Sequence, residues 1–237
     1  MNLTNLILFL VLVILGLFFY NNFLKILNKY NPKLLIDAQF SKPQAFHEYP
    51  ISVAGGTGIF LLFLIVYFNF LFFKNIIFFE YLSICTFIFF LGFFDDVKIN
   101  IKPKYRLALM IIFLLALMKY NNFYLERTGI EILNYWLENS EIFSLIFICL
   151  CFLFVINGSN LIDGYNGLLC LHSLIIFTNL FLINYFNANN DLANLLFFMI
   201  IILIIFLSFN FPKAKVFLGD SGSYFLGAFI AISIIKT

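Results

Sequence analysis

The sequence predicts an all-α, polytopic membrane helix bundle of about eight transmembrane helices. Three observations carry that expectation. First, 63% of the 237 residues are hydrophobic and only 11% are charged, whereas a soluble domain carries about 25% charged residues. Second, the apolar residues fall in continuous runs near the roughly 20 residues that a spanning helix needs. Third, those runs do not alternate polar and apolar, as barrel strands would.

The runs cover residues 3–24, 51–73, 75–94, 105–125, 142–157, 168–186, 192–211 and 221–235. The first has no basic n-region and no small-residue cleavage pattern, so it reads as a retained span rather than a signal peptide. The fourth contains Lys119, whose long stem can carry its ammonium to the interface. The eighth is short and is expected to leave Tyr224–Ile235 with few packing partners. The four cysteines lie in apolar runs without metal-ligand spacing and read as small buried hydrophobes.

Lys and Arg set the orientation, because basic residues accumulate on the cytoplasmic side. With the N-terminus outside, Lys25, Lys29, Lys33, Lys42, Lys98, Lys102, Lys104, Arg106, Lys213 and Lys215 lie inside. Lys74, Lys119, Arg127 and Lys236 lie outside. Asp37, Asp95, Asp96, Asp163 and Asp220 then share the inner face, while Glu80, Glu126, Glu131, Glu138 and Glu141 share the outer one. Short carboxylates gathered at helix ends on one face suit a hard metal ion and its phosphate ligands. The segment 126–141, with Tyr135 and Trp136, reads as an interfacial amphipathic stretch.

Four inner segments concentrate the polar residues. The first holds His47 in a polar loop, where it can titrate or bind a phosphate, and then Gly55-Gly56-Thr57-Gly58. Close helix packing explains those glycines better than a phosphate cradle does. The second is Gly92-Phe93-Phe94-Asp95-Asp96. Adjacent helical residues point about 100° apart, so the two acids face different partners. Carboxylates at a helix C-terminus oppose the macrodipole, which argues against simple helix termination. The third is Asn160-Leu161-Ile162-Asp163-Gly164-Tyr165-Asn166-Gly167-Leu168. Its mixed donors and acceptors suit a nucleobase or ribose. The fourth is Asn210-Phe211-Pro212-Lys213-Ala214-Lys215-Val216-Phe217-Leu218-Gly219-Asp220-Ser221-Gly222-Ser223, in which Asp220 reads as the N-cap of the last helix. His172, within the sixth run, reads as an interhelical hydrogen-bonding residue.

Taken together, these motifs resemble the polyprenyl-phosphate N-acetylhexosamine-1-phosphate transferase family, over nearly the whole chain and in family order. The resemblance implies one transmembrane transferase domain over residues 1–237, lacking the family's C-terminal spans and the His-rich inner loop that follows the eighth span. It implies a multi-pass inner-membrane enzyme, with its active site at the cytoplasmic face, that moves a sugar-1-phosphate, an N-acetylhexosamine by the family's pattern, from a UDP-sugar to polyprenyl phosphate and releases UMP in cell-surface glycan synthesis. The implied cofactor is Mg²⁺, with Mn²⁺ as a substitute. The implied partners are the UDP-sugar, polyprenyl phosphate and the lipid bilayer, with a homodimer as an open arrangement and no nucleic acid.

Residue by residue, Asp95 and Asp96 match the family's paired catalytic acids, the first toward the lipid phosphate. Asp220 matches the metal-coordinating acid. Asn160, Asp163, Asn166, Asn210 and Phe217 match positions around the nucleotide sugar. His47, Lys42, Lys98, Lys104 and Arg106 are candidates for phosphate or lipid phosphate. The chain departs from the family at Ser52 and Val53, which follow Pro50 where a basic contact is usual, and at Asn166, where some relatives carry Asp. Two other readings are weighed. A binding-only relative would follow from the missing His-rich loop. A transporter would need ionisable groups at mid-membrane, where only His172 and a few asparagines qualify.

Overall fold

A computed structural model describes residues 3–23, 25–26, 35–37, 50–99, 101–125 and 128–237. In chain order the elements are α1 (Leu3–Phe18, continued by a π-helical turn Phe19–Phe23), β1 (Ile36–Asp37), β2 (Ile51–Ser52), α2 (Gly55–Lys74), α3 (Phe79–Asp96) and α4 (Pro103–Tyr120). Then come α5 (Glu131–Asn139), α6 (Glu141–Ile162), α7 (Leu168–Phe186), α8 (Asn190–Asn210) and α9 (Gly219–Lys236). Each of the eight apolar runs lies on one of α1–α4 and α6–α9.

Five of these helices, α1, α2, α6, α7 and α8, are long and apolar enough to cross a membrane by length and composition. The other three carry charge at their ends: Glu80, Asp95 and Asp96 on α3, Lys104, Arg106 and Lys119 on α4, Asp220 and Lys236 on α9. Local chemistry sets several boundaries. Pro103 opens α4, where a missing N–H costs nothing. Ser140 accepts from the Phe143 N–H at 3.2 Å and so caps α6.

The centre of the bundle is α9. Every residue from Ser221 to Ser233 is buried, against α3, α6, α2 and α7. A helix apolar on all sides belongs inside a bundle. The expectation that Tyr224–Ile235 would lack packing partners is therefore corrected. α8 packs on α7, α1 and α2, and α4 packs on α6 and α3. Glycine makes the tightest crossings possible: a Cβ on Gly56 would sit 2.2 Å from the Gly222 nitrogen, and one on Gly92 only 2.4 Å from the Asp220 carbonyl oxygen. Close packing is thus what the Gly55–Gly58 cluster does. His172 is exposed on α7 rather than turned toward a neighbouring helix, which corrects the interhelical reading.

Outside the helices, β1 pairs antiparallel with β2, and Ser52 bridges in parallel to Val216. The Phe217 N–H donates to the Ser52 carbonyl at 2.7 Å, and the Gly55 and Gly56 N–H groups donate to the carbonyls of Phe217 and Leu218 at 2.9 and 2.7 Å. This ladder fastens the start of α2 to the loop that leads into α9. At the far end of the bundle, Lys236 pairs with Glu80 at 2.7 Å.

Candidate active site

The site lies where α3 and α6 end and where α4 and α9 begin. Gly219, at φ 77, turns the chain into α9. It also needs its bare Cα, because a Cβ there would meet the Asp96 carboxylate and the Val53 carbonyl at 2.7 Å. Asp96 is buried. Its two oxygens accept the N–H groups of Asp220 and Ser221 at 2.8 and 3.0 Å. A helix start leaves such N–H groups unpaired and concentrates positive potential there, so Asp96 caps α9 from another helix. The expectation that Asp220 is the N-cap is corrected: Leu218 occupies that position without a side-chain hydrogen bond, and Asp96 supplies the acceptors.

Relieved of capping, Asp220 turns its carboxylate to α6. Its Oδ1 accepts from Asn160 Nδ2 at 2.8 Å, and the same nitrogen donates to Ser223 Oγ at 2.9 Å. Asp163 closes α6 one turn beyond Asn160, with its N–H on the Ser159 carbonyl. Burial, then the charges of Asp220 and Asp96, push the Asp163 carboxyl well above the ordinary carboxylate range.

Asp95 faces elsewhere. It forms an ion pair with Arg106, and the Arg106 guanidinium lies 5.4 Å from the centre of the Tyr224 ring. That arrangement joins α3, α4 and α9 through one cation. Lys98 and Lys104 are exposed at this end, with Lys104 Nζ 5.0 Å from the Tyr105 ring.

Three other candidates line the flanking loops. Asn210 is buried and acts as a clip: its Oδ1 accepts the Gly167 N–H at 2.6 Å, while its Nδ2 donates to the Val216 carbonyl at 2.8 Å. Both ends of the Asn210 amide are thus engaged within the chain, which holds it between the two loops. Asn166 donates to the Pro212 carbonyl at 3.2 Å and is otherwise exposed. Phe217 is half-buried and enters the backbone ladder with Ser52 and Gly55. His47 and Lys42 lie outside the described residues.

Sequence reasoning missed Ser223 and Tyr224. Both were within reach of it, because they stand three and four residues after Asp220 and so share its helix face.

The donor set limits which metal the site can take. Among the described residues no group of three or more His, Cys, Asp or Glu is arranged to hold an ion, so a cage made wholly of protein is absent there. Mg²⁺ does not ask for one: it binds through one or two carboxylates and completes its shell with water and substrate phosphates. Asp220 and Asp163, near enough that the Asp220 charge raises the Asp163 carboxyl, fit that mode.

Fold and site together define a membrane-embedded helical bundle with an acidic, Asn-rich site at one end. Residues 78–237 match the model of glycosyl transferase family 4, and the chain belongs to that family, the polyprenyl-phosphate hexosamine-1-phosphate transferases that its motifs resemble. The phospho-N-acetylmuramoyl-pentapeptide-transferase of Dictyoglomus turgidum is 35% identical over 205 residues, 81% of this chain and 61% of that protein. That of Dictyoglomus thermophilum is 32% identical over 203 residues, again 81% and 61%. The Nitratiruptor protein of the same name is 31% identical over 153 residues, 58% of this chain and 43% of its own length. The chain thus spans at most 61% of the length of these relatives.

Proposed function

We propose that this chain carries the catalytic face of an enzyme that transfers an N-acetylhexosamine 1-phosphate from a UDP-sugar to polyprenyl phosphate. A phosphate oxygen of the lipid bonds to the β-phosphorus of the UDP-sugar, the bond to UMP breaks, and UMP leaves with its electron pair. Such phosphoryl transfer rests on positioning and charge neutralisation more than on a special nucleophile. The observation that carries the reading is Asp220, relieved of capping by Asp96 and held toward Asn160 beside Asp163.

In this reading each residue has a bounded task. Asp96 fixes the backbone of Asp220 and Ser221. Asn160 orients the Asp220 carboxylate. Asp220, with Asp163, would hold Mg²⁺, which would supply neutralisation of the diphosphate charge. Arg106, aligned by Asp95 and by the Tyr224 ring, presents a fixed cation to the lipid phosphate. Asn210 and Asn166 hold together the two loops between which the uridine sits. The lipid phosphate brings its own anionic oxygen, so no strong base is needed from the protein. The face that bears this site is the cytoplasmic one, with the N-terminus outside, in keeping with the basic excess at that end.

The test is UMP release from UDP-N-acetylhexosamines by purified protein in the presence of polyprenyl phosphate and Mg²⁺. Formation of UMP that requires both additions supports the reading. Saturable UDP-sugar binding without UMP formation would support the binding-only alternative instead.

A further inference from the structure

The transferase reading leaves α5 unused. This helix has polar and apolar sides, and three sectors surround its axis. Leu137, 4% exposed, packs into the bundle with half-buried Leu133 beside it. Glu131, Glu138 and Asn139 are exposed on the opposite side. Between the two, Ile132 and Trp136 stand 77% and 53% exposed, four residues apart on one face. A surface helix of a soluble protein needs only the first two sectors. A third sector, large, apolar and uncovered, marks a surface meant for something other than water.

The neighbouring elements identify what that is. The Trp136 ring lies 6.2 Å from Phe143 at the start of α6, and Phe143 lies 6.2 Å from Phe147. Beside these rings runs an exposed stripe of Ile142, Ile146, Leu150 and Phe154 at four-residue spacing along the spanning helix α6. The uncovered sector of α5 is therefore continuous with a surface that faces hydrocarbon. The helix is also held in place rather than hinged. The Asn134 Oδ1 accepts the Thr128 N–H at 2.6 Å and the Thr128 hydroxyl at 3.0 Å, and the Ser144 Oγ bonds the Leu125 N–H and carbonyl at 3.2 and 3.3 Å. α5 itself carries Glu131 and Glu138 and no Lys or Arg, and Arg127 stands four residues before it in the sequence.

We propose that α5 is a lipid-interface anchor: Ile132 and Trp136 enter the boundary between headgroups and acyl chains at the end of the bundle remote from Asp220, and the partner is a zwitterionic lipid surface. With no basic residue on α5 itself, apolar burial holds the helix, without attraction of its own side chains to anionic headgroups. An indole suits this depth, with its ring in the apolar layer and its N–H near headgroup oxygens. The consequence reaches the other face. From Glu141 to Asn160 the rigid α6 extends roughly 29 Å at 1.5 Å per residue. An anchor at its start thus fixes the depth at which Asn160 and Asp163 meet the opposite interface. None of this depends on the transferase reading.

Trp136 is the only tryptophan in the chain, so its fluorescence reports this site alone. The experiment reconstitutes the protein in phosphatidylcholine vesicles containing lipids brominated at shallow or deep acyl carbons, with iodide as the aqueous quencher. The expected result is emission strongly quenched by shallow bromines, as the depth of an interfacial helix requires, less affected by deep ones, nearly insensitive to iodide, and unchanged when phosphatidylglycerol is added. Strong iodide quenching without bromine quenching would put α5 in water and overturn the proposal. Protection from both quenchers would put it under another protein surface and overturn it equally. Moving the probe guards against a local artefact: in a Trp136→Phe background, Ile132→Trp should be quenched by shallow bromines and Glu138→Trp by iodide. Equal behaviour of those two variants would also contradict it.

Discussion

One hydrogen bond, from the Asp220 N–H to the Asp96 carboxylate, joins these two acids, and turning either carboxylate into an amide has a different consequence. Asp96 satisfies two N–H groups with two oxygens. Asp96→Asn leaves one oxygen and points an NH₂ at the second donor, so a buried N–H goes unpaired at a cost of about 1–3 kcal/mol. We expect a lower thermal midpoint in detergent as well as lost turnover. Asp220→Asn keeps an oxygen for Asn160 and leaves the cap untouched, but it loses the full charge that a hard cation requires. Its thermal midpoint should stay near that of the unmodified protein while UMP release falls about a hundredfold or more. Near-normal turnover would remove Asp220 from the chemistry. For the second acid, a double-mutant cycle between Asp95→Asn and Arg106→Ala should give a coupling of about 0.5–3 kcal/mol in stability or transition-state binding. Additive effects would mean that the ion pair does not act as a unit. Adjacent acids on a helix diverge by geometry, so their separate partners were legible in the sequence. The cap was not: its acceptor comes from 124 residues away, and local sequence had offered Asp220 for the task.

At the level of elements, the apolar runs were legible because the bilayer imposes a length on each spanning segment. Their ranking was not. The length of 221–235 suggested a peripheral last helix, whereas burial of every residue from Ser221 to Ser233 and the close approaches at Gly56 and Gly92 place α9 at the centre. The crossing makes a sharp prediction. A Cβ on Gly222 would sit 2.8 Å from the Gly56 Cα and 2.5 Å from Leu218, so Gly222→Val must push α2 and α9 apart and should abolish a cooperative thermal transition. Gly164→Ala is the control, since nothing lies within 4 Å of its added Cβ. It should change stability by no more than about 0.5 kcal/mol. Equal stability of the two variants would show that the crossing is slack. The loop clip belongs to this scale too. It joins residues 166–167 to 210–216 through the amides of Asn210 and Asn166, a pairing no motif spacing discloses, although both loops were singled out for their polarity.

Across the whole molecule the charges sort to two ends: Asp95, Asp96, Arg106, Asp163 and Asp220 at one, and Glu80 with Lys236 at the other. The sorting was readable because helices alternate direction, so each loop between runs falls on a known side. Assigning a side to the cytoplasm rests on the basic excess, and it can be checked by labelling. In a background without native cysteines, Lys213→Cys should react with an impermeant thiol reagent only from the cytoplasmic side and Glu138→Cys only from the other. The reverse pattern would invert the topology.

The activity proposed for these residues is the movement of a phospho-sugar onto a lipid phosphate. The measurement that reaches it most directly follows UMP and lipid-linked sugar together, from a panel of UDP-N-acetylhexosamines with polyprenyl phosphate, in purified unmodified protein and in Asp220→Asn. Equimolar UMP and sugar diphosphate lipid are expected with at least one donor, both dependent on Mg²⁺ and both lost in Asp220→Asn. UDP-sugar binding with neither product from any donor, or products that persist undiminished in Asp220→Asn, would contradict it.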